Sequence, residues 1–454
     1  MTQTRNLTQG KVSEIILSFF FPMLMANLLQ QIYTFADTAI VGKGLGDNAL
    51  AAVGNMSSLT FLIIGFSLGM ANGFSIIIAH NYGAKDYAAL RKAIASSIKL
   101  SAVITVILTA FGVVFLREIM VLMQTPDLIL NESLSYGYII FGGLVATIAY
   151  NVCSGILRAL GDSRTPFISI MISTVVNIVL NCVFIFGLGT GVEGAAIATV
   201  ISQAISAIVC YAKIRKIEII RLSREDFRRD RKMNSELLRN GLPMACMNSI
   251  TAVGCIVVQY FVNGLGVAYT SAYSACSRYL NLFMLPASTA GLTISSFTSQ
   301  NYGAGEYARI KEGLHVCLKI AFVSYVVLGS VMAFFPEFLA GIMLNEKETI
   351  GIAVQFLPIC GIMLFAVDFL FVFRSCVQGM GYPFIPMCSG ILEMVLRIAA
   401  VVLLIPNLEF RATAFAEVFA WSGALLMNFA AYKAMIGKKL GNDASIRKKR
   451  IRSV

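Results

Sequence analysis

The first apolar stretch of the chain contains a carboxylate in a position that suggests chemistry. Residues 19–46, FFFPMLMANLLQQIYTFADTAIVGKGLG, include Asp37 six residues before the first basic residue, Lys43. A charged side chain inside a bilayer is costly, so it is retained where it meets an ion, a proton or a substrate. Tyr33 precedes Asp37 by four residues, which places both side chains on one helical face. The stretch therefore indicates a buried site at which Asp37 binds a cation or exchanges a proton.

Two later apolar stretches carry amides and hydroxyls at the same four-residue spacing. Asn177 and Asn181 form one such pair, and Thr199 and Gln203 form the other. Oxygen ligands suit hard cations, so Asp37, Asn177 and Thr199 are candidate ligands for a sodium ion. A hydrogen-bond network around a permanently protonated carboxyl group is the structural alternative. The candidate cation-coupling residues are Asp37, Tyr33, Asn177, Asn181 and Thr199, and the secondary candidates for lining a substrate cavity include Gln30, Gln31 and Gln203.

The later apolar stretches carry charges in a different pattern. Glu393 and Arg397 are four residues apart, which favours a self-neutralising pair on one helical face. Asp368 has no oppositely charged residue at that spacing, so it is a secondary candidate for the cavity or for coupling. Arg278, near the eighth apolar stretch, is a further secondary candidate.

The chain that carries these residues is unusually apolar. Of its 454 residues, 57% are hydrophobic and 13% are charged, with a mean hydropathy of +0.77, whereas soluble domains average about 25% charged residues. A spanning helix needs about 20 mostly apolar residues, and stretches of that size recur without the alternation of β-barrel strands. The sequence predicts an all-α polytopic membrane protein with twelve transmembrane helices, at about residues 14–42, 52–80, 94–116, 133–157, 165–187, 194–213, 240–262, 270–300, 316–336, 350–378, 384–406 and 411–434.

The two halves of the chain share short sequences at a constant distance. NYGAKDYAALRK at 81–92 returns as NYGAGEYARIKE at 301–312, and GLG at 44–46 returns at 264–266, in each case 220 residues later. Six helices are an even number, so both copies enter the membrane from the same side, as in a parallel repeat. The predicted domains are an N-lobe with the first six helices (1–212), a basic cytoplasmic linker (213–236), a C-lobe with the last six helices (237–436) and a basic cytoplasmic tail (437–454).

Lys and Arg are concentrated in alternate connections between the predicted helices. One set includes the segment 213–232 and the tail from Lys433 onward, whereas the other set holds only Lys43, Arg117, Lys347 and Arg411. The positive-inside rule then places both termini in the cytoplasm, and we expect a multi-pass protein of a bacterial cell membrane. The formal net charge of +12 follows from this asymmetry, so we expect membrane lipids as partners, and not nucleic acid.

Motifs for hydrolysis and group transfer are missing from the sequence. There is no GxxxxGK[ST] loop for ATP, the two histidines (His80 and His315) do not lie in an HExxH motif, and no Gly-flanked serine resembles a nucleophile elbow. The pattern predicts a protein that is not an enzyme and has no cofactor, with a proton or sodium gradient as its energy source. A membrane-embedded enzyme is the remote alternative.

The combination of motifs resembles the multidrug and toxic compound extrusion (MATE) family along nearly the whole chain. The resemblance rests on QQIYTFADTAIVGKGLG, the two NYGA loops, LRALGDSRTPF with its counterpart VQGMGYPFIP, and NIVLNCVFIFGLGTGVEGAAIATVIS. It implies two six-helix bundles, related by a parallel pseudo-two-fold repeat and arranged as a V around a central cleft. It also implies export of bulky, usually cationic organic compounds, driven by proton or sodium entry.

The resemblance assigns roles to the polar residues of the first half. Asp37 matches the acidic residue that the family carries on its first helix, and Tyr33, Asn177 and Thr199 match its polar neighbours. Asn181 stands where many members have a second Asp. The sequence therefore departs from a site with two carboxylates.

A second branch of the family pairs a Glu on the seventh helix with an Asp on the tenth. Residues 240–262 contain no acidic residue, although Asp368 could match the tenth-helix Asp. The resemblance thus favours coupling through the N-lobe. Pro22 matches a proline that bends the first helix, and Pro243 has the corresponding place in the second half.

Together these features predict a secondary active antiporter that works by alternating access. It would export amphipathic, cationic organic compounds such as drugs and toxins in exchange for protons or sodium. A flippase for lipid-linked precursors, from the same superfamily, is the alternative. Arg278, Arg374 and Arg397 favour it because such cargo carries phosphate, which arginine binds well.

Overall fold

The protein is built from helices. The computed structural model describes the backbone of residues 6–452 and their side chains, apart from those of Ser58 and residues 438–452. The first half and the connection contain α1 (Val12–Leu45), α2 (Asp47–Gly83), α3 (Tyr87–Leu122), α4 (Asp127–Gly142), α5 (Leu144–Ala159), α6 (Arg164–Asn181), a π-helical turn (Cys182–Gly187), α7 (Gly191–Ile214) and a 3₁₀ turn (Glu218–Ile220). The second half contains α8 (Arg231–Leu265), α9 (Val267–Phe283), α10 (Leu285–Gly303), α11 (Tyr307–Ser324), a π-helical turn (Tyr325–Gly329), α12 (Ser330–Phe334), α13 (Pro336–Met343), α14 (Lys347–Ile362), α15 (Leu364–Gly379), α16 (Phe384–Leu408) and α17 (Arg411–Arg452).

In the described chain, eleven of the twelve predicted stretches have the length and hydropathy of a membrane span. Nine helices do so alone, and the bent pairs α4–α5 and α14–α15, which change direction by 45° and 49°, supply two more spans. The predicted stretch 270–300 consists of α9 and α10, which are shorter and richer in Ser and Thr. Pro286 lies near the start of α10, where its missing N–H costs no helical hydrogen bond. The break at Met284 therefore divides this stretch into two helices.

The backbone repeats the same turn conformations in both halves. Gly46 and Gly266, which end the two GLG sequences, have φ of +88° and +122°, and Gly161 and Gly381 both have φ of +83°. Only glycine adopts these angles without a steric penalty. The offset of 220 residues found in the sequence is therefore also the offset of the turns that separate successive helices.

Two compact units make up the described chain. One contains Phe21–Ala245, and the other contains Leu7–Phe20 together with the residues from Cys246 onward. The division between units thus falls inside the first helix of each half, within α1 and within α8. Pro22 and Pro243 lie close to these division points.

The division into units differs from the domain limits expected from the repeat. The predicted limits at 212–213 and 236–237 follow the sequence repeat, whereas the beginning of α8 packs with the helices of the first half. The predicted tail 437–454 lies outside the described side chains beyond Gly437.

Small residues bring the beginning of α8 into backbone contact with α2 in the first unit. A Cβ atom added at Gly73 would lie 2.5 Å from the Cα of Gly241, and one added at Gly69 would lie 2.6 Å from the Cα of Ala245. Neither position accepts a larger side chain without movement. Close approach of this kind is typical of membrane helices, whose association depends on van der Waals packing. This contact accounts for the place of α8's beginning in the first unit.

The residues that lead into α1 pack in the second unit. The backbone N–H of Leu7 donates to Gln300 Oε1 at 3.0 Å, and Arg309 Nη1 donates to the carbonyl of Gly10 at 2.9 Å. Leu7 and Ile16 are almost fully buried. Hydrogen bonds and burial together fix the start of the chain against α10 and α11 of that unit.

Candidate functional site

Asp37 lies on α1 and is bonded to α6. Asn181 Nδ2 donates to Asp37 Oδ1 at 2.7 Å and to Asn177 Oδ1 at 3.0 Å. Both asparagines are fully buried, whereas Asp37 is half-buried. The distance to the carboxylate is in the range of a charge-assisted hydrogen bond. The structure thus brings three of the predicted coupling residues together, and Asn181 is the one that contacts the carboxylate.

Tyr33 and Thr199 join α1 to α7. Tyr33 Oη donates to Thr199 Oγ1 at 3.3 Å, and this contact lies one helical turn from Asp37. Ser202 donates to the backbone carbonyl of Thr199 at 2.8 Å. The Asp37 cluster, defined here as Tyr33, Asp37, Asn177, Asn181 and Thr199, therefore unites the five predicted coupling residues on α1, α6 and α7.

Serine side chains hold α6 against α7 behind this cluster. Ser173 Oγ donates to the carbonyl of Ser202 at 2.8 Å, and Ser206 Oγ donates to the carbonyl of Ser169 at 3.1 Å. All four serines are buried. The regular part of α6 ends at Asn181, and the π-helical turn begins at the next residue. Such turns are frequent at functional sites, and here one begins directly after the residue that binds Asp37.

The carboxylate of Asp37 has no basic partner among the described side chains. Across the described side chains, no Lys, Arg or His lies within salt-bridge distance of its carboxylate. Asn181 Oδ1 is buried and has no hydrogen-bond partner in the part of the chain that is described, so it offers an unused acceptor beside the carboxylate. Asn177 Oδ1, a predicted sodium ligand, accepts a hydrogen bond from Asn181. An amide oxygen has two lone pairs, so this bond does not exclude Asn177 Oδ1 as a ligand, and Thr199 Oγ1 and Asp37 Oδ1 each accept one hydrogen bond as well. A sodium site at Asp37, Asn177 and Thr199 therefore stays a prediction.

Tyr136 on α4 is a neighbour of the cluster that the sequence pattern does not single out. Its side chain is buried, and its hydroxyl is close enough to Asp37 and Tyr33 to interact with both electrostatically. The chain has 16 tyrosines, and the four-residue spacing that identifies the other polar residues has no counterpart on α4. The polar run NESLSYGY is the one signal that could have pointed to it.

The second half contains a chain of four alternating charges, which we call the charge chain. Arg374 on α15 donates to Glu393 on α16. Arg397 Nη2 lies 3.5 Å from Glu393 Oε1 and 2.9 Å from Glu417 Oε2 on α17. All four residues are buried. The predicted pair of Glu393 and Arg397 is present, but as the centre of a longer chain whose charges cancel.

Comparison with known proteins assigns the chain to a family. The MatE family model matches residues 22–183 and again residues 243–403. The chain belongs to the MATE family. The two matches cover corresponding parts of the two halves, as the internal repeat requires. Members of the MATE family are transporters, which confirms that this protein is a transporter and not an enzyme.

Relatives of this MATE protein include proteins from bacteria. The probable multidrug resistance protein YoeA of Bacillus subtilis (strain 168) is 32% identical over 349 residues, which cover 75% of each chain. The FAD transporter of Shewanella oneidensis is 24% identical over 77% of this chain and 78% of its own. A crystal structure of MATE in the bent conformation superposes with a TM-score of 0.92 at 22% identity, over 98% of this chain and 100% of that chain. The last comparison confirms the predicted MATE fold.

Three predicted cavity residues of this MATE transporter lie outside the hydrogen bonds of the Asp37 cluster. Gln31 is exposed, and Gln30 and Gln203 are half-buried. As far as side chains are described, the hydrogen bonds of the cluster include none of the three. Their role in a cavity stays a prediction.

The remaining candidates have separate surroundings. Asp368 on α15 is fully buried, and neither of its carboxylate oxygens has a hydrogen-bond partner among the described residues. Arg278 on α9 is exposed. Pro22 and Pro243 lie inside α1 and α8, which continue as helices beyond them, so bending at these prolines also stays a prediction.

Proposed function

We propose that this MATE transporter is a secondary antiporter that exports amphipathic, cationic organic compounds in exchange for protons or sodium. Asp37 is the coupling group, and the other members of the Asp37 cluster support it. The proposal rests on one observation: the carboxylate of Asp37 accepts its hydrogen bond from the amide of Asn181 and not from a guanidinium. The name of the Bacillus subtilis relative, a probable multidrug resistance protein, fits drug export.

An amide neighbour allows the charge of Asp37 to change. A buried carboxylate that faces an arginine keeps its charge, because protonation would leave the guanidinium unpaired. Asn181 can donate to the carboxylate through Nδ2, and its Oδ1 can accept from a protonated carboxyl group or bind a cation. A coupling ion and a cationic compound therefore compete for one negative charge. Because binding of one lowers the affinity for the other, the ion gradient drives release of the compound.

We also propose an orientation for the transporter in the cell membrane. The positive-inside rule places both termini and the basic segment 213–232 in the cytoplasm. Many basic side chains of that segment are exposed and are therefore suitable sites for trypsin. Trypsin added to intact cells should leave the segment uncut, and cleavage there would require the opposite orientation.

Dye efflux from proteoliposomes tests the coupling role of Asp37. A pH gradient and a sodium gradient are imposed separately, and efflux of a fluorescent organic cation is compared for wild type and Asp37→Asn. We expect the substitution to reduce the rate of gradient-driven efflux about tenfold or more, because the amide can neither release a proton nor carry the negative charge that a cation binds. The gradient that drives wild-type efflux identifies the ion.

Asp47→Asn is the matched control for this experiment. Asp47 is exposed in the first turn of α2, so the control makes the same chemical change outside the Asp37 cluster. We expect it to retain wild-type efflux under both gradients. Wild-type efflux by Asp37→Asn would contradict the proposal.

The rival proposal is a flippase for lipid-linked precursors, and the charge chain argues against it. Arg374 and Arg397 are paired with glutamates, so of the three arginines that favour such cargo only Arg278 is without a paired carboxylate in the described chain. The name of the Shewanella oneidensis relative introduces another phosphate-bearing cargo, FAD. Lipid-linked sugar and FAD are therefore additional test cargos in the same vesicles. Gradient-driven movement of either one without dye efflux would replace the proposal of drug export.

A further inference from the structure

The basic linker, defined here as residues 213–232, is folded against the first unit. It joins the end of α7 to the start of α8 through the 3₁₀ turn Glu218–Ile220. Ile217 and Ile220 are 6% and 3% exposed and belong to the apolar core of that unit, and Leu222 packs against the same core. The linker is therefore a structured part of the surface, although its sequence is rich in charge.

The aspartates of the basic linker are used for contacts within the protein. Asp226 Oδ2 accepts hydrogen bonds from the N–H and the hydroxyl of Ser223 at 2.7 and 2.8 Å. Its other carboxylate oxygen lies 3.8 Å from Arg91 Nε on α3. The backbone N–H of Ser223 is the main reason that the pKa of Asp226 is lowered from its ordinary value. Asp226 therefore stays charged at neutral pH and holds the linker to α3.

Two further contacts fix the same stretch on α3. Lys99 Nζ donates to the backbone carbonyls of Phe227 and Arg228 at 2.8 and 3.2 Å. Lys92 Nζ lies 4.0 Å from Asp230 Oδ2, and Asp230 Oδ1 accepts from the N–H of Met233 at 2.9 Å. The carboxylates and carbonyls of residues 226–230 thus bind cations of α3, which leaves the basic side chains of the linker for the outside.

The outer surface of the linker is strongly basic and partly apolar. Its exposed acidic residues are Glu218 and Glu225, and the exposed side chains of Phe227 and Ile219 add apolar area at 41% and 38% exposure. Eight exposed basic residues on this surface have no carboxylate within salt-bridge distance in the described chain, namely Arg215, Lys216, Arg221, Arg224, Arg228, Arg229, Arg231 and Lys232.

We propose that this outer surface binds the anionic headgroups of membrane phospholipids. The linker follows one spanning helix directly and precedes the next, so its side chains lie within reach of the headgroups. Clusters of four to eight Lys and Arg beside a membrane span are attracted to anionic lipid. Two exposed apolar side chains among the basic ones suit the boundary between headgroups and acyl chains. Because the two aspartates contact α3 or the backbone, Glu218 and Glu225 are the exposed acidic residues beside eight exposed basic ones, and the surface keeps an excess of positive charge.

Quenching by brominated lipid tests this inference without any transport assay. The full-length variant Phe227→Trp, in a Trp421→Phe background, carries a single tryptophan on the proposed surface. It is reconstituted in phosphatidylcholine vesicles with a small fraction of brominated phosphatidylglycerol, or with the same fraction of brominated phosphatidylcholine. We expect quenching to be about twofold or more stronger with the anionic lipid. The difference should fall when NaCl rises from about 0.1 M to about 1 M, which shortens the Debye length from about 10 Å to about 3 Å.

Two charge variants test whether the basic linker causes the preference for the anionic lipid. Arg224→Gln, Arg228→Gln and Arg229→Gln together should remove the preference for the anionic lipid. The control combines Lys43→Gln, Arg117→Gln and Lys347→Gln, which remove the same charge from exposed positions of the alternate set of connections, and should keep the preference.

Native mass spectrometry of the wild-type and triple-variant proteins gives a second readout that needs no tryptophan exchange. We expect fewer bound phosphatidylglycerol molecules on the linker variant than on the control. Equal quenching by both lipids, or an anionic preference that survives in the linker variant, would overturn the proposal. Displacement of the anionic lipid by stoichiometric poly-glutamate would also overturn it and would assign the surface to an acidic protein.

Discussion

Asp37 in the first half and Glu393 in the second half are both carboxylates on spanning helices, but their partners differ in kind. Asp37 accepts a hydrogen bond from the amide of Asn181 at 2.7 Å, and no described basic side chain pairs with it. Glu393 lies between the guanidinium groups of Arg374 and Arg397. One carboxylate therefore has a neutral partner, and the other is enclosed by opposite charges.

This difference separates a group that can change its charge from a group that cannot. Protonation of Glu393 would leave the buried guanidinium of Arg374 without its carboxylate and would take from Arg397 one of its two partners, which is strongly unfavourable. Protonation of Asp37 changes only the direction of a hydrogen bond, because an asparagine can both donate and accept. The comparison supports our proposal that ions couple through the first half, and it predicts that the charge chain contributes to stability, although both halves come from one repeat.

The largest expected effect is a loss of stability when Arg397 of the charge chain is replaced. Arg397→Met leaves Glu417 without a charged partner and leaves Glu393 with Arg374 alone. We therefore expect the free energy of unfolding to fall by about 3–5 kcal/mol. Denaturant unfolding in detergent measures this loss. Efflux per folded molecule should be close to that of wild type, because the ion pairs of Arg397 lie within the charge chain.

A double variant distinguishes loss of a charge partner from loss of packing. Arg397→Met with Glu417→Gln removes one positive and one negative charge and keeps the pair of Arg374 and Glu393. We expect it to be more stable than Arg397→Met alone, since Glu417→Gln removes the charge that would need a partner. A double variant that is less stable than the single one would mean that Glu417 stabilises the fold independently of Arg397.

Substitution of the two asparagines should have unequal effects on efflux. Asn181→Ala removes the bond to the carboxylate, and a hydrogen bond to a charged group contributes about 1.5–3 kcal/mol. We therefore expect gradient-driven efflux to fall roughly tenfold to a hundredfold, since about 1.4 kcal/mol corresponds to a factor of ten. Asn177→Ala removes a bond to Asn181 only and should reduce efflux less. Equal losses in the two variants would mean that Asn177 also acts directly on Asp37.

The contact between Tyr33 and Thr199 should have a smaller effect. Its two groups are neutral and 3.3 Å apart, and a neutral hydrogen bond contributes about 1 kcal/mol. We expect Tyr33→Phe and Thr199→Val each to reduce efflux by about fivefold or less. The double variant should be no worse than the poorer single variant, because both substitutions remove the same bond. Fully additive losses would show that each hydroxyl has its own partner during transport.

Much of the fold could be predicted because a membrane span imposes a minimum apolar length. Where that requirement is met by an uninterrupted helix, as in α2 or α16, the predicted stretch and the helix coincide closely. The bends within two spans could not be located, because Gly143 and Met363 lie inside apolar runs that read as continuous. These two residues are 220 positions apart. The bend therefore recurs at the offset of the repeat, although the residue is Gly in one half and Met in the other.

The candidate site was less predictable than the fold. A four-residue spacing identifies the face of one helix, but it does not say which other helix meets that face. The spacing alone therefore does not distinguish Asn181 from Asn177, although among the described hydrogen bonds it is Asn181 that donates to Asp37. The link from Arg397 to Glu417 spans 20 residues and two helices, so no local pattern could have revealed it.

The smallest effect is expected at Asp368, whose surroundings differ from those of both Asp37 and Glu393. Both of its oxygens are buried without a hydrogen-bond partner in the described chain, so no charged contact of the protein depends on it. We expect Asp368→Asn to change the free energy of unfolding by less than about 1 kcal/mol and to change efflux by less than about twofold. Unfolding and efflux are measured as for the other variants. A loss of coupling as large as that of Asp37→Asn would instead place an ion-binding carboxylate in each half, and the division between a coupling half and a stabilising half would no longer hold.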